Sequence, residues 1–400
     1  MKYKLILTTL NREGRTFVVT ALYQEKKLVE AHLDPAGKKS ILGNIYVGKV
    51  KDVVKNLNAA FIEIAPGKPC YYSLEDMKDP LFVKKGNSPR LVQGDELVVQ
   101  VIQENSKSKP PKVSTNLNFS GKYLVLTSGK KSLGISRKLD EQTRERLRES
   151  LPFDTDDGFG VIIRTNAANA AVEEVLEEYH QLKQEYLSLR EKAPFRTAFS
   201  CLKESVPEYL HSIQGLDSTR LEAILTDNTE LFAQIKSYLT SCQPKDLGML
   251  TLYTDPLLSL DKLYSLEQKI QEALREKVWM RSGGYLVIQP TEALTVIDVN
   301  TGKSVAKKQV QEHHLKVNLE AAEEIAHQLR LRNISGIIIV DFIDMESEES
   351  KELLLQKLRQ AVQLDSVPVR VLGMTHLNLV EMTRKKRRKS LYEQLTQGKN

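Results

Sequence analysis

Residues 294–345 constrain the fold more than any other stretch, because they read as strand, long helix, strand. Residues 295–300 (TVIDVN) are β-branched in character and predict a strand. Residues 336–343 form a near-continuous apolar run, as expected of a strand buried on both faces. Between them, Val310, Leu315, Leu319, Ala322, Ile325 and Leu329 recur at helical spacing and predict one helix over residues 305–332. Strands joined by such a crossover run parallel, commonly as neighbours about 4.8 Å apart.

Each strand carries an aspartate near its carboxyl end, Asp298 and Asp341, and neighbouring strands would bring the two carboxylates together. Asn300 shares the face of Asp298, since side chains alternate along a strand. Asp341 interrupts Ile337, Ile338, Ile339, Val340, Phe342 and Ile343. A carboxylate there needs compensation, either by a metal ion or by one of the many Lys and Arg side chains. Two aspartates and an amide are hard oxygen donors, which favour magnesium, or manganese as a substitute, over zinc. The carboxyl ends of parallel strands are where open α/β sheets place their sites.

Four hundred residues exceed one ordinary core, so about two to four domains are expected. The net charge of +6 is mild but clustered at residues 107–112 (KSKPPK) and 384–389 (RKKRRK). Such clusters suit a polyanion, or are simply solvated surface. Cys70, Cys201 and Cys242 match neither metal spacing nor a disulfide framework, which points to a reducing, cytoplasmic setting. The N-terminal apolar stretch is too short for a signal peptide, and no transmembrane segment is expected.

Residues 2–10, 15–23 and 27–33 predict an antiparallel meander that is a poor core alone and needs later strands. Short strands at 44–54, 59–65, 69–74 and 96–103 suit a small closed barrel. Alternation in AAFIEIA puts Ala60, Ile62 and Ile64 inside and Phe61 outside, either as a stacking platform for a base or packed on a neighbouring domain. Tyr71 and Tyr72 lie on the next strand, and Lys49, Lys51 and Lys109 are candidate phosphate contacts. Arg164 and Thr165 fall where a strand (GVIIRT) feeds a helix over 170–191, a junction able to hold phosphate. The alternative is that Arg164 pairs with Glu173 and Glu174. Past 345, a helix at 348–363, a strand at 367–372 and a basic helix at 377–395 are expected.

GNIYVGKVKDVV, NAAFIEI and Gly94-Asp95 resemble an S1-type RNA-binding barrel of the OB group. With TVIDVN and NLEAAEEIAHQLRLRNISGIIIVDFIDM, the whole chain resembles the catalytic half of the ribonuclease E/G family, single-strand endoribonucleases. The resemblance implies a mixed α+β and α/β multidomain chain. A ribonuclease-H-like subdomain (1–34 and 206–275) would carry an inserted S1-type OB barrel (35–115) and a 5′-sensor region (116–205). A deoxyribonuclease-I-like catalytic subdomain (276–400) would follow. It further implies that Arg164 and Thr165, with backbone of Gly121 and Val125, grip a 5′-monophosphate, and that Phe61, Tyr71 and Lys109 contact RNA. A family arginine is replaced near Pro368, with Arg370 two residues on.

The expectation is therefore a magnesium-dependent endoribonuclease of RNA processing and decay, with Asp298 and Asp341 as metal ligands and Asn300 as their partner. Asp344 would face away from Asp341 if the strand continued, and Lys303 could offset charge on the phosphate. Homo-oligomerisation is left open; without the family's CPxCxG segment a zinc-linked dimer is not supported. The competing expectations are a non-catalytic RNA-binding or ribosome-assembly factor and a deoxyribonuclease.

Overall fold

The computed structural model describes residues 2–37, 40–105, 109–129, 131–151, 153, 158–302 and 310–396. Lys303, Lys107 and the expected first turn of the long helix at 305–309 lie outside the described residues. The chain forms two compact units, Lys39–Asp217 and a discontinuous one made of Met1–Lys38 with Ser218–Asn400.

In the discontinuous unit the N-terminal meander finds the partners it lacked. Tyr3–Arg12, Arg15–Gln24 and Lys27–Pro35 are antiparallel, and Leu221–Thr226 then Leu250–Leu252 extend the sheet in parallel from the free edge of Tyr3–Arg12. Ile6, Phe17, Val19 and Tyr23 pack on Leu260, Leu266 and Ile270, and Leu331 and Leu391 close the same core.

The second sheet of this unit carries the two aspartates. Its strands are β1 (Lys277–Trp279), β2 (Tyr285–Pro290), β3 (Leu294–Asn300), β4 (Gly336–Asp341), β5 (Val369–Met374) and β6 (Leu379–Arg384), in spatial order β1-β2-β3-β4-β6-β5. The crossover helix α1 (Val310–Leu331) and α2 (Glu348–Val362) cover one face. Leu286, Ile297, Val299, Ile338, Val340 and Met382 point into that layer, against Val317, Ile325, Leu329 and Leu354 among others.

Two expectations fail here. β4 is buried on one face only: Ile338 and Val340 are sealed, but Ile337 is 51% exposed and Ile339 half-exposed. Among the described residues helices line a single side, so the run of isoleucines reflects β-branched strand preference as well as burial. The basic helix at 377–395 is also absent. Residues 379–384 instead form β6, whose alternation buries Val380, Met382 and Arg384 between β4 and β5, and only Leu391–Thr396 is helical. Arg384 is not a polyanion contact. Its guanidinium donates from Nε to Asp365 Oδ2 (2.7 Å) and from Nη2 to Asp365 Oδ1 (3.2 Å), and its Nη1 donates to Asn333 Oδ1 (2.7 Å).

In the unit Lys39–Asp217, Ile45–Val54, Ala59–Glu63, Pro69–Ser73, Lys112–Ser114 and Glu96–Gln103 close into a five-stranded barrel, with Glu96–Gln103 pairing back on Ile45–Val54. The closed barrel fits an OB-type domain. Ala60, Ile62 and Ile64 face inward, as the alternation predicts, and Val50, Tyr72, Leu97, Val99 and Val113 fill the rest of the core. Beside it, Asn118–Ser120, Leu124–Thr127, Gly160–Ile163 and Leu133–Ile135 form a four-stranded sheet backed by the helix Val172–Lys192.

Candidate active site

β3 and β4 pair in parallel with Asp298 directly opposite Asp341. Neighbouring strands place such residues about 4.8 Å apart at Cα, with side chains on one face. Ile297, Val299 and Val340 point into the core, so both carboxylates point to the open face, and both are exposed. Asn300 Nδ2 donates to Asp298 Oδ2 at 2.7 Å and fixes its rotamer.

Among the described residues neither carboxylate has a Lys or Arg partner within ion-pair distance. Burial first, then the charges of Asp298 and Asp344, hold the Asp341 carboxyl above its ordinary range. Asp344 is expected to face away only if the strand continues to it. The strand ends at Asp341, so alternation no longer applies three residues on. What has collected here is negative charge without a neutralising group among the described residues. Among the described residues no cluster of three or more His, Cys, Asp or Glu forms a closed metal cage. A pair of carboxylates alone suits a hard divalent cation that keeps most of its waters.

The end of β4 is pinned by a residue that the sequence reading passed over. Asn318 is fully buried on α1; its Nδ2 donates to the Ile343 carbonyl (2.8 Å) and its Oδ1 accepts from the Ile343 amide (3.1 Å). The available signal was an asparagine, a poor helix former, on the apolar side of a helix between Val317 and Ala321. The exit from β3 is equally constrained. Gly302 adopts φ +68°, and a Cβ there would meet the Gly283 carbonyl oxygen at 2.1 Å, so the backbone after Asn300 crosses the β1–β2 turn closely.

In the barrel, Phe61 and Tyr71 face each other in register on the outside, with ring centroids 6.4 Å apart and planes at 79°. Both are half-exposed and Lys109 is exposed. The Tyr71 amide donates to the Pro111 carbonyl (2.8 Å), so the Pro110-Pro111 segment runs beside that strand. Lys51 pairs with Glu63 at 2.9 Å.

Gly121 and Arg164 meet, since Arg164 Nη1 donates to the Gly121 carbonyl (2.5 Å). Thr165 is exposed at the start of the 3₁₀ turn Thr165–Asn169, which intervenes before the helix Val172–Lys192. Val125 lies on Leu124–Thr127, beside Gly160–Ile163, the strand that leads into Arg164. Glu178, on the same helix as Glu173 and Glu174, interacts electrostatically with Arg164. Its carboxylate accepts from the amides of Lys122 (2.6 Å), Tyr123 (2.8 Å) and Leu124 (2.8 Å). Burial raises the Glu178 carboxyl above its ordinary range, against the pull of those amides and of Arg164. Gly121 is required there, because a Cβ would lie 2.2 Å from that carboxylate.

Barrel, carboxylate pair and open strand end together fit the class of nucleic-acid-cleaving enzymes. A model of the Ribonuclease E/G family matches residues 118–387. The chain is 34% identical over 384 residues to Ribonuclease G of Haemophilus influenzae, spanning 93% of this chain and 78% of that protein. It is 32% identical over 375 residues to Ribonuclease G of Escherichia coli K12 (91% and 76%). Against Ribonuclease E of Nostoc sp. it is 32% identical over 385 residues (94% and 55%). The chain belongs to the Ribonuclease E/G family. No helix among the described residues is long and apolar enough to cross a membrane.

Proposed function

We propose that this chain is a magnesium-dependent endoribonuclease that cuts single-stranded RNA and favours 5′-monophosphorylated substrates. The observation that carries the catalytic reading is the in-register pairing of Asp298 with Asp341 on an exposed strand end. Asp298 and Asp341 would hold the ion, with manganese as a substitute. When bound, such an ion neutralises a non-bridging phosphate oxygen and acidifies a water for attack. Asn300 orients Asp298 through its amide, and Asn318 sets the position of Asp341 through the chain that follows it.

The barrel supplies substrate choice. Bases stacked on Phe61 and Tyr71, with Lys109 near the backbone, require an unpaired strand. For the 5′ end, Arg164 and Thr165 are the side chains proposed to meet the monophosphate. Gly121 and Val125 shape the backbone beside them, and Glu178 already occupies the neighbouring amides. The sheet of three antiparallel and two parallel strands supports the ribonuclease-H-like assignment for the N-terminal meander. The S1-type and deoxyribonuclease-I-like assignments rest on the resemblance.

The test is cleavage of a fluorescent single-stranded RNA by Asp298→Asn and Asp341→Asn. Each should lose activity by roughly 10²-fold or more, since the proposed ion would lose half its protein ligands. Undiminished cleavage by either would remove the assignment. Arg164→Ala should erase the difference between 5′-monophosphate and 5′-hydroxyl RNA. A purely RNA-binding protein would retain RNA without magnesium-stimulated cleavage, and a deoxyribonuclease would cut single-stranded DNA of the same sequence at least as well.

A further inference from the structure

The open face of the second sheet holds one feature that the proposed mechanism leaves unused. Trp279, the chain's single tryptophan, is 64% exposed at the end of β1. Val278 beside it packs into the helix layer, which sends Trp279 and Lys277 to the opposite side. Trp279 pairs in register with Tyr285, their ring centroids 5.1 Å apart and the planes tilted by 59°. Lys277 Nζ lies 3.6 Å from the Tyr285 centroid and 4.2 Å from that of Trp279.

The register ties this group to the carboxylates. Tyr285 sits opposite Asn300, and Val287, two residues on, sits opposite Asp298. Paired residues share a face, so Trp279, Tyr285, Asn300, Asp298 and Asp341 all belong to the same open surface. With strands about 4.8 Å apart and two residues spanning about 6.7 Å, the Trp279 backbone lies roughly 12 Å from that of Asp298. A neighbouring nucleotide of a strand threaded over the carboxylates falls within that reach.

An exposed tryptophan with its solvent face open is an unusual use of a large apolar side chain. Indole and phenol rings offer a sequence-tolerant surface for a base, and a lysine held against them adds positive charge where a phosphate would lie. We propose that Trp279, Tyr285 and Lys277 form a stacking subsite for a nucleotide of single-stranded RNA next to the linkage that is cut. The proposal rests on the reading of Asp298 and Asp341 as the cutting site, and it adds a base-holding element separate from Phe61 and Tyr71.

Because Trp279 is the only tryptophan, its emission reports on this subsite alone. The experiment titrates the protein in EDTA with a short single-stranded RNA, and separately with inorganic polyphosphate, which has charge but no bases. RNA should quench the emission saturably, and polyphosphate should not. In the presence of magnesium, Trp279→Ala should raise KM about 10-fold while keeping kcat within about twofold, and Trp279→Phe should restore most of the loss. Equal quenching by polyphosphate, or quenching that follows protein concentration without RNA, would overturn the subsite. So would an emission that ignores RNA while the protein cleaves it, an outcome that leaves the carboxylate assignment standing. Saturable quenching by RNA in a protein that never cleaves would support the subsite and dismiss the carboxylate assignment instead.

Discussion

Replacing Asp341 by asparagine should stabilise the metal-free protein while destroying its activity. Asp298 and Asp341 face each other across one strand spacing with no cationic partner among the described residues. Two charges about 5 Å apart in a water-like dielectric repel by roughly 0.8 kcal/mol, and a Debye length of about 8 Å halves that at physiological salt. Asp344 adds to the repulsion, in line with its effect on Asp341. Asp341→Asn removes the charge and keeps the shape. In EDTA at low salt its melting temperature should therefore rise by roughly 1–3 °C, a gain that fades towards about 1 M salt. Magnesium should reverse the ranking, since an ion that binds only the folded state stabilises the wild type and hardly affects the variant. Thermal unfolding in EDTA and in magnesium, at two salt concentrations, reads all of this. A variant less stable than wild type in EDTA at low salt would mean that the structure holds Asp341 by an attractive contact, and the electrostatic reasoning would be wrong.

Arg384→Met should cost about 3–5 kcal/mol in denaturant unfolding, because it strands the buried Asp365 carboxylate, and Asp365→Leu in the same chain should recover much of that. Gly302→Ala combines a left-handed backbone, worth about 1–2 kcal/mol, with a clash against the Gly283 carbonyl. Its cleavage rate should fall at least about 10-fold as the backbone leaving Asn300 shifts, with melting temperature as the control. His211 titrates below its ordinary value of 6.5 because burial disfavours its protonation; the hydrogen bond to Gln214 opposes this, and the charges of Arg164 and Lys203 reinforce it. The unfolded chain therefore takes up this proton first. Stability is full above pH 6.5 and declines as the pH falls below it, and His211→Gln should flatten that part of the profile of melting temperature between about pH 7.5 and about pH 5.

The crossover unit was readable because its signals agree: β-branched character in β3, an apolar run in β4, helical spacing in α1, and glycine at Gly302 and Gly336 on either side of the helix. Alternation in AAFIEIA likewise exposed the inside and outside of the barrel before any fold was known. Pairing decisions were less legible. LVEMTR alternates as cleanly as any strand, but the lysines and arginines after it outweighed that signal and produced a helix. Whether β4 is covered on one side or two depends on where the helices α1 and α2 go, which no local window records. Glu178 could not be singled out among the acidic residues of its helix either. Its role comes from three amides more than 50 positions earlier in the chain.

The split of one sheet between Tyr3–Arg12 and Leu221–Thr226 has a consequence during synthesis. At about 5–20 residues per second, the ribosome needs roughly 10–40 s to deliver the second strand after the first. Throughout that interval the first hairpins leave the exit tunnel with a bare hydrogen-bonding edge, the kind of surface that recruits stray strands. A nascent chain paused before residue 221 should therefore be the form most dependent on chaperones, and one released past Leu252 should not.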